Sequence, residues 1–272
     1  MTEETGMERS VDERDFALLQ ADPCTFEVLA RILRGKCEWV LTDHKQLILC
    51  HSAALYPVWV WTPDGAAKET LERAWSLLMK HRPLDQGFRW NMKYELAEYC
   101  IARAKAQGIP AGVAINLLAY DCPAPREPDR TADGSLFVCT ERDAREVAGM
   151  LRRFFDGVDD KAPEESVLME NAAAYIARRG FFLWKNEVGE TVACCSVKKN
   201  GMLASISSVY TLPAFRRRHY AESLVYRVTS ALREQGFLPV LYTDADYIAS
   251  NACYEKIGYV RRGRLCTVAC LT

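Results

Sequence analysis

The sequence predicts an α/β protein of the α+β type, built in two halves. Three observations predict it. From Leu203 to Tyr259 the chain reads strand, basic turn, helix, strand and short helix. Along the whole chain, short apolar runs alternate with stretches whose apolar residues recur every three to four positions. Between the halves, CPAPREPDRTADG (Cys122 to Gly134) carries three prolines, five charged residues and no large apolar side chain. Such a composition marks an exposed connection. The expected division is an N-terminal α/β domain over 1–122, a linker over 123–134 and a second domain over 135–272.

The elements follow in order. Residues 1 to about 20 read as a frayed or surface segment. Phe26, Leu29, Ala30 and Leu33 share one face of a short helix. Strand-like runs follow at Cys37 to Leu41, Leu47 to Cys50 and Val58 to Trp61, with a turn at Asp43-His44-Lys45 and another at Pro63-Asp64-Gly65. Leu71, Trp75 and Leu78 mark one helix, and Met92 to Ala106 a second. Val113 to Tyr120 is a strand. The second half opens with a strand at Ser135 to Cys139 and helices at Ala144 to Phe155 and Glu164 to Arg178. A hairpin follows, Phe181 to Lys185 with Thr191 to Val197. The first half loosely parallels the second, so it reads as a degenerate copy. Its equivalent of the basic turn falls near Pro63 to Ala67, where no basic residue precedes Lys68.

Composition narrows the function. Hydrophobic residues make up 49% and charged residues 26%, as in folded globular chains, and the formal net charge is −1. That balance gives no general pull toward nucleic acid or anionic membrane. The apolar runs are short, and the acidic start MTEETGMERSVDERDF lacks a leader pattern, so no membrane segment is expected. The 11 cysteines are irregularly spaced and odd in number, and only 4 histidines are present. Reduced thiols in a cytoplasmic protein, without a metal, are the expectation.

The stretch from Leu203 carries the chemistry. Pro213 ends its strand, Arg216 to Tyr220 form the turn, and Leu224, Val225, Val228 and Leu232 give the helix, closed by Gly236. A second apolar run covers Leu238 to Tyr242. Ser250 is the expected cap of the last helix, which ends at Gly258. A basic turn at a helix N-terminus suits an anionic phosphate, because free N–H groups and the helix dipole point at it. Three arginines alone would more often be a solvated face. A strand before them and a helix after them favour phosphate.

The stretch resembles the GCN5-related N-acetyltransferases. That family's first signature is Arg or Gln, two residues, Gly, one residue, then Gly or Ala. It aligns with Arg216, Arg217, Arg218, His219, Tyr220 and Ala221, where His219 replaces the usual glycine and Arg217 a frequent one. The second signature, Ser-Asn, two residues, Tyr, three residues, Gly-Tyr, matches Ser250, Asn251, Tyr254, Gly258 and Tyr259. NMKYELAEY and AYDCP also look like the N-terminal part of some two-domain members.

The resemblance implies a central mixed, mostly antiparallel sheet flanked by helices, with acetyl-CoA as cosubstrate and a primary amine as acceptor. Arg216 to Ala221 would wrap the pyrophosphate. The backbone of Val209, Tyr210 and Thr211 would meet pantetheine and the thioester, and Asn251 would hold the cofactor arm. Tyr254 would protonate the departing thiolate, although packing alone also accounts for a tyrosine there. The helices after residue 143 would form a wall of the acceptor site. Asp244 is the first candidate for a general base and Glu170 the second; a turn role also suits Asp244. Glu222 sits where it complements the helix dipole. His219 fits such a turn if its φ stays negative and its ring points outward. A catalytically impaired acyl-CoA sensor is the alternative function, and a nucleic-acid module drawn from the arginines is disfavoured by the charge balance. An oligomer is compatible with the sequence.

Overall fold

The structure, a computed structural model, describes residues 4–158 and 162–271. In chain order it has α1 (Glu13–Leu19), α2 (Glu27–Arg34), β1 (Trp39–Thr42), β2 (Ile48–His51), β3 (Val58–Trp61), α3 (Lys68–His81), β4 (Trp90–Met92), α4 (Tyr94–Ala106) and β5 (Ala111–Asp121). The second half adds β6 (Ser135–Val138), α5 (Ala144–Gly157), α6 (Glu165–Ala177), β7 (Phe181–Lys185), β8 (Thr191–Asn200), β9 (Leu203–Thr211), α7 (Tyr220–Glu234), β10 (Leu238–Asp244), α8 (Ile248–Ile257) and β11 (Val260–Cys270).

Two compact units result. The first takes the described residues up to Ala119, plus Thr243–Tyr247 and the chain from Arg262. The second takes Tyr120–Tyr242 and Ile248–Arg261. In the first unit, β1, β2 and β3 pair antiparallel, β3 and β4 pair parallel across α3, and β4 pairs antiparallel with β11. In the second, β6, β7, β8 and β9 pair antiparallel, and β9 and β10 pair parallel across α7. Within each unit the strand pairing is thus mixed and mostly antiparallel. The succession β1-β2-β3-α3-β4-α4 repeats as β7-β8-β9-α7-β10-α8, so the parallel between the halves extends to strand direction.

Amphipathic helices cover the strands of each unit. α7 buries Leu224, Val225, Val228 and Leu232, and α3 buries Leu71, Ala74, Trp75, Leu77 and Leu78. Each fully buried Leu or Val contributes about 1.5–3 kcal/mol relative to exposure. Val147, Met150 and Leu151 of α5 and Leu168 and Ala172 of α6 pack with Phe181 and Leu183 of β7 in the core of the second unit.

Several sequence expectations need correction. The segment before residue 20 contains α1, whose N-terminus has a capping box between Asp12 and Asp15 and whose Asp15 and Leu19 are buried. Residues 1–3 lie outside the described residues. Met92 belongs to β4, a three-residue strand too short for a visible alternation, and the helix begins at Tyr94. Ser250 does not cap α8, because that helix starts two residues earlier, at Ile248. Asp244 ends β10 rather than following it.

The Pro-rich segment is irregular yet anchored to the second unit. Cys122 N–H donates to Pro239 O at 2.9 Å and Arg126 N–H to Ile257 O at 2.7 Å. Ala132 N–H donates to Ser223 Oγ at 2.9 Å, and Trp184 Nε1 to Asp133 O at 2.7 Å. Its closest approach explains Gly258. This residue has φ 104°, and a Cβ there would lie 2.6 Å from Ala124 O. Gly258→Ala is expected to lower the unfolding free energy by roughly 1–3 kcal/mol, read from the denaturant midpoint.

Candidate cofactor and transfer site

The site starts from a defect in β9. Ser196 of β8 pairs with Ser207, and Cys194 pairs with Tyr210. Between these pairs β8 spends one residue, Cys195, and β9 spends two, Ser208 and Val209. Ser208 has φ 51°. This is a β-bulge, which bends its strand and increases its twist. On the other side of β9, the parallel ladder with β10 ends at Ile206↔Leu241. Ser207, Tyr210 and Thr211 therefore keep their β8 partners, and the stretch Ser207 to Thr211 extends beyond the ladder on the β10 side. An open strand edge of this kind can bind an amide-bearing chain.

Beyond Thr211 the chain makes one 3-10 turn, Pro213–Phe215, and then the basic loop. Arg217 has φ 62° and His219 φ 63°, ψ 9°. The condition of a negative φ at His219 is therefore not met. Both positions where the related signature favours glycine adopt the left-handed conformation, which costs a side-chain-bearing residue about 1–2 kcal/mol. His219 is the N-cap of α7 but makes no side-chain cap. Its ring turns back to Glu222, Nδ1 to Oε2 2.8 Å. Glu222 thus has a partner as well as a place in the first helical turn.

The remaining side chains brace the loop. Arg216 Nε donates to Thr211 O at 3.2 Å, and its guanidinium lies 5.6 Å from the Tyr210 ring centre. Arg218 lies 5.6 Å from the Phe215 ring centre. Tyr220 is buried and its hydroxyl donates to Asp133, so its side chain holds the loop while its backbone opens α7. Ala221 follows in the first turn of α7. Pro213, Ala214, Arg216, Arg217 and Arg218 line an open cavity of about 630 Å³. An anion there would meet guanidinium groups and the positive end of a 15-residue helix.

On α8, Asn251 and Tyr254 are both buried. The Tyr254 ring packs edge-on to Tyr259 at 5.9 Å, and Tyr259 shares a 2.7 Å hydrogen bond with Thr229. Burial holds the Tyr254 phenol above its ordinary pKa, and Cys253 and Cys195 raise it further. Cys195 is the β8 residue opposite the bulge, which brings Tyr254 into the surroundings of the β9 defect.

Asp244 belongs to the first unit by its contacts, and its Oδ1 accepts the Asp246 N–H at 3.0 Å. Glu170 is exposed on α6. The turn of the first half that corresponds to the basic loop is satisfied from within. Gly65 N–H donates to Glu95 Oε2 at 3.1 Å, and Asp64 pairs with Lys93 at 2.6 Å. Asp12, Asp15 and His44 gather potential metal ligands within 4.8 Å. They are engaged with protein groups: Asp15 accepts from Thr42 Oγ1 at 2.5 Å and meets His44 Nδ1 at 2.7 Å, while Arg14 pairs with Asp12. Among the described residues, no helix is long and apolar enough to cross a membrane.

Residues 144–259 match the model of the acetyltransferase (GNAT) family. Residues 144–259 thus form a GNAT-family domain. No curated protein matches it in sequence. Among solved structures it is similar to a GCN5-related N-acetyltransferase from Sphaerobacter thermophilus, with TM-score 0.69 and 10% identity over 96% of this chain and 94% of that one. It is also similar to a GNAT-family acetyltransferase from Colwellia psychrerythraea, with TM-score 0.59 and 11% identity over 96% of this chain and 98% of that one. A Drosophila protein gives TM-score 0.61 and 13% identity over 94% and 90%. These likenesses show that the GNAT fold arrangement extends over nearly the whole chain.

Within the GNAT-family domain, the second unit contains the bulged strand, the arginine loop, Asn251 and Tyr254. Sequence reading missed Ser208, whose left-handed φ leaves no mark in a strand pattern, and the His219–Glu222 pair, for which the i,i+3 spacing was the available signal. The strain at His219 gives a test. His219→Gly is expected to be about 1 kcal/mol more stable than His219→Ala in thermal unfolding, opposite to the helix-propensity order.

Proposed function

We propose that the second unit transfers the acetyl group of acetyl-CoA directly to a primary amine. One observation carries this reading: the open edge of Ser207–Thr211 leads, through a single 3-10 turn, into an arginine loop at a helix N-terminus. Acetyl-CoA has a matching order of needs. Its amide-rich pantetheine arm takes hydrogen bonds from the backbone of Val209, Tyr210 and Thr211. Its pyrophosphate takes Arg216, Arg217, Arg218 and the N–H groups of His219, Tyr220 and Ala221. Asn251 holds the arm from α8.

The neutral amine attacks the thioester carbon, and charge develops on its oxygen. The N–H groups at the β9 defect are the donors for that charge. As the tetrahedral intermediate collapses, the carbon–sulfur bond breaks and Tyr254 gives its proton to the departing thiolate. Burial raises the phenol, and a thiolate held in the same dry surroundings is raised too. The amine proton passes to a base or to solvent; Asp244, the first candidate from the sequence, belongs to the first unit by its contacts and is not taken as part of this site. The eleven free cysteines support a reducing, cytoplasmic setting.

A second reading, a non-catalytic acyl-CoA sensor, draws on the strained φ values at Arg217 and His219. Calorimetry with acetyl-CoA followed by thiol release across an amine panel separates the two. The expected result is one acetyl-CoA per chain, because Glu95 occupies the corresponding turn of the first half, and thiol release with at least one amine. Tyr254→Phe is expected to lower kcat roughly 10- to 1000-fold while binding persists. The pH profile follows from the raised phenol. kcat/KM rises as the acceptor ammonium loses its proton, and no decline sets in below about pH 10, the ordinary phenol value, because Tyr254 stays protonated there.

A further inference from the structure

Gly157 is the last residue of α5, and a Cβ built on it would lie 2.6 Å from Cε2 of Tyr210. The Tyr210 ring therefore rests on bare helix backbone. The Arg216 guanidinium stands 5.6 Å from the ring centre and is tied to Thr211 O. Tyr210 also follows the bulge directly and pairs with Cys194. Gly157 does not adopt the left-handed conformation that favours glycine at helix ends, so capping of α5 does not account for it.

We infer that Gly157 is a positioning residue for acyl-CoA, acting through Tyr210. The absence of a side chain lets the ring settle against the end of α5. The settled ring sets the angle at which Val209 to Thr211 offer their backbone edge, and it places Arg216 at the entrance to the loop. Gly157 touches neither the acyl group nor the phosphates. The role rests on the proposed binding of acetyl-CoA along β9. It also links α5 to the cofactor strand, so that any shift of this helix end is felt by the backbone that holds the thioester.

The test is a cycle of four proteins: the unsubstituted chain, Gly157→Ala, Tyr210→Leu and the double variant, each titrated calorimetrically with CoA and assayed for KM and kcat. Gly157→Ala is expected to weaken CoA binding roughly fivefold or more and to raise KM for acetyl-CoA more than it lowers kcat. In the Tyr210→Leu background, the same substitution is expected to change affinity less than about twofold, because leucine yields the space. Unchanged CoA affinity in Gly157→Ala, or an equal loss in both backgrounds, overturns the role. If Gly157→Ala does not fold, the double variant decides. Affinity equal to that of Tyr210→Leu supports the role, and a further fivefold loss contradicts it. Absence of CoA binding by the unsubstituted chain overturns the underlying reading, and this role with it.

Discussion

The site depends on the parting of two parallel strands. β9 and β10 stay paired from Leu203↔Leu238 to Ile206↔Leu241, and then the ladder ends. Immediately beyond, Ser208 takes a left-handed φ and β9 gains a residue over β8. The bulge keeps β9 attached to β8 while bending it, and this is how five residues of strand extend past their parallel partner without loss of the sheet. Beyond the ladder, Ser207–Thr211 are half-buried and offer backbone groups on the side that β10 leaves. The proposed acyl-CoA has peptide-like amides that suit such an edge, and phosphates that suit the charge of the loop that follows.

Strain is concentrated where the cofactor would sit. Ser208, Arg217 and His219 are three of the five non-glycine residues with positive φ among the described residues, and all fall within twelve positions. Surrounding structure holds them. Tyr220 is tied to Asp133, Arg216 to Thr211, and His219 to Glu222. Asp133 belongs to the Pro-rich segment, which also packs on Gly258. A stretch that looks like a passive connection in composition therefore braces both signature motifs. The first half has the same succession of strands and helices but fills its turn with Glu95, so a similar fold there has a different electrostatic outcome.

Much of this was legible in the sequence, and the reasons differ by element. Helices such as α3 and α7 announced themselves through apolar spacing, and β3 and β7 through compact apolar runs bounded by turn residues. The second signature marked α8 because Ser250, Asn251, Tyr254, Gly258 and Tyr259 stand at the spacing of the family's motif. β4 was hidden, because three residues are too few for a pattern. α1 was hidden by its charge, since Asp15 is buried against Thr42 and His44 and a buried carboxylate reads as surface. The sign of φ at His219 was also beyond reach, because the turn geometry is imposed by its neighbours. The contact of Gly157 with Tyr210 spans 53 positions and has no local signal.

The central claim is that the edge of Ser207–Thr211 and the loop after it receive one acyl-CoA. Amide hydrogen exchange with and without acetyl-CoA tests it most directly. The account predicts slowed exchange at Val209, Tyr210 and Thr211 and at the amides from Arg217 to Ala221, with little change around Gly65. Binding that leaves those amides unprotected, or protection confined to the turn at Gly65, would contradict it.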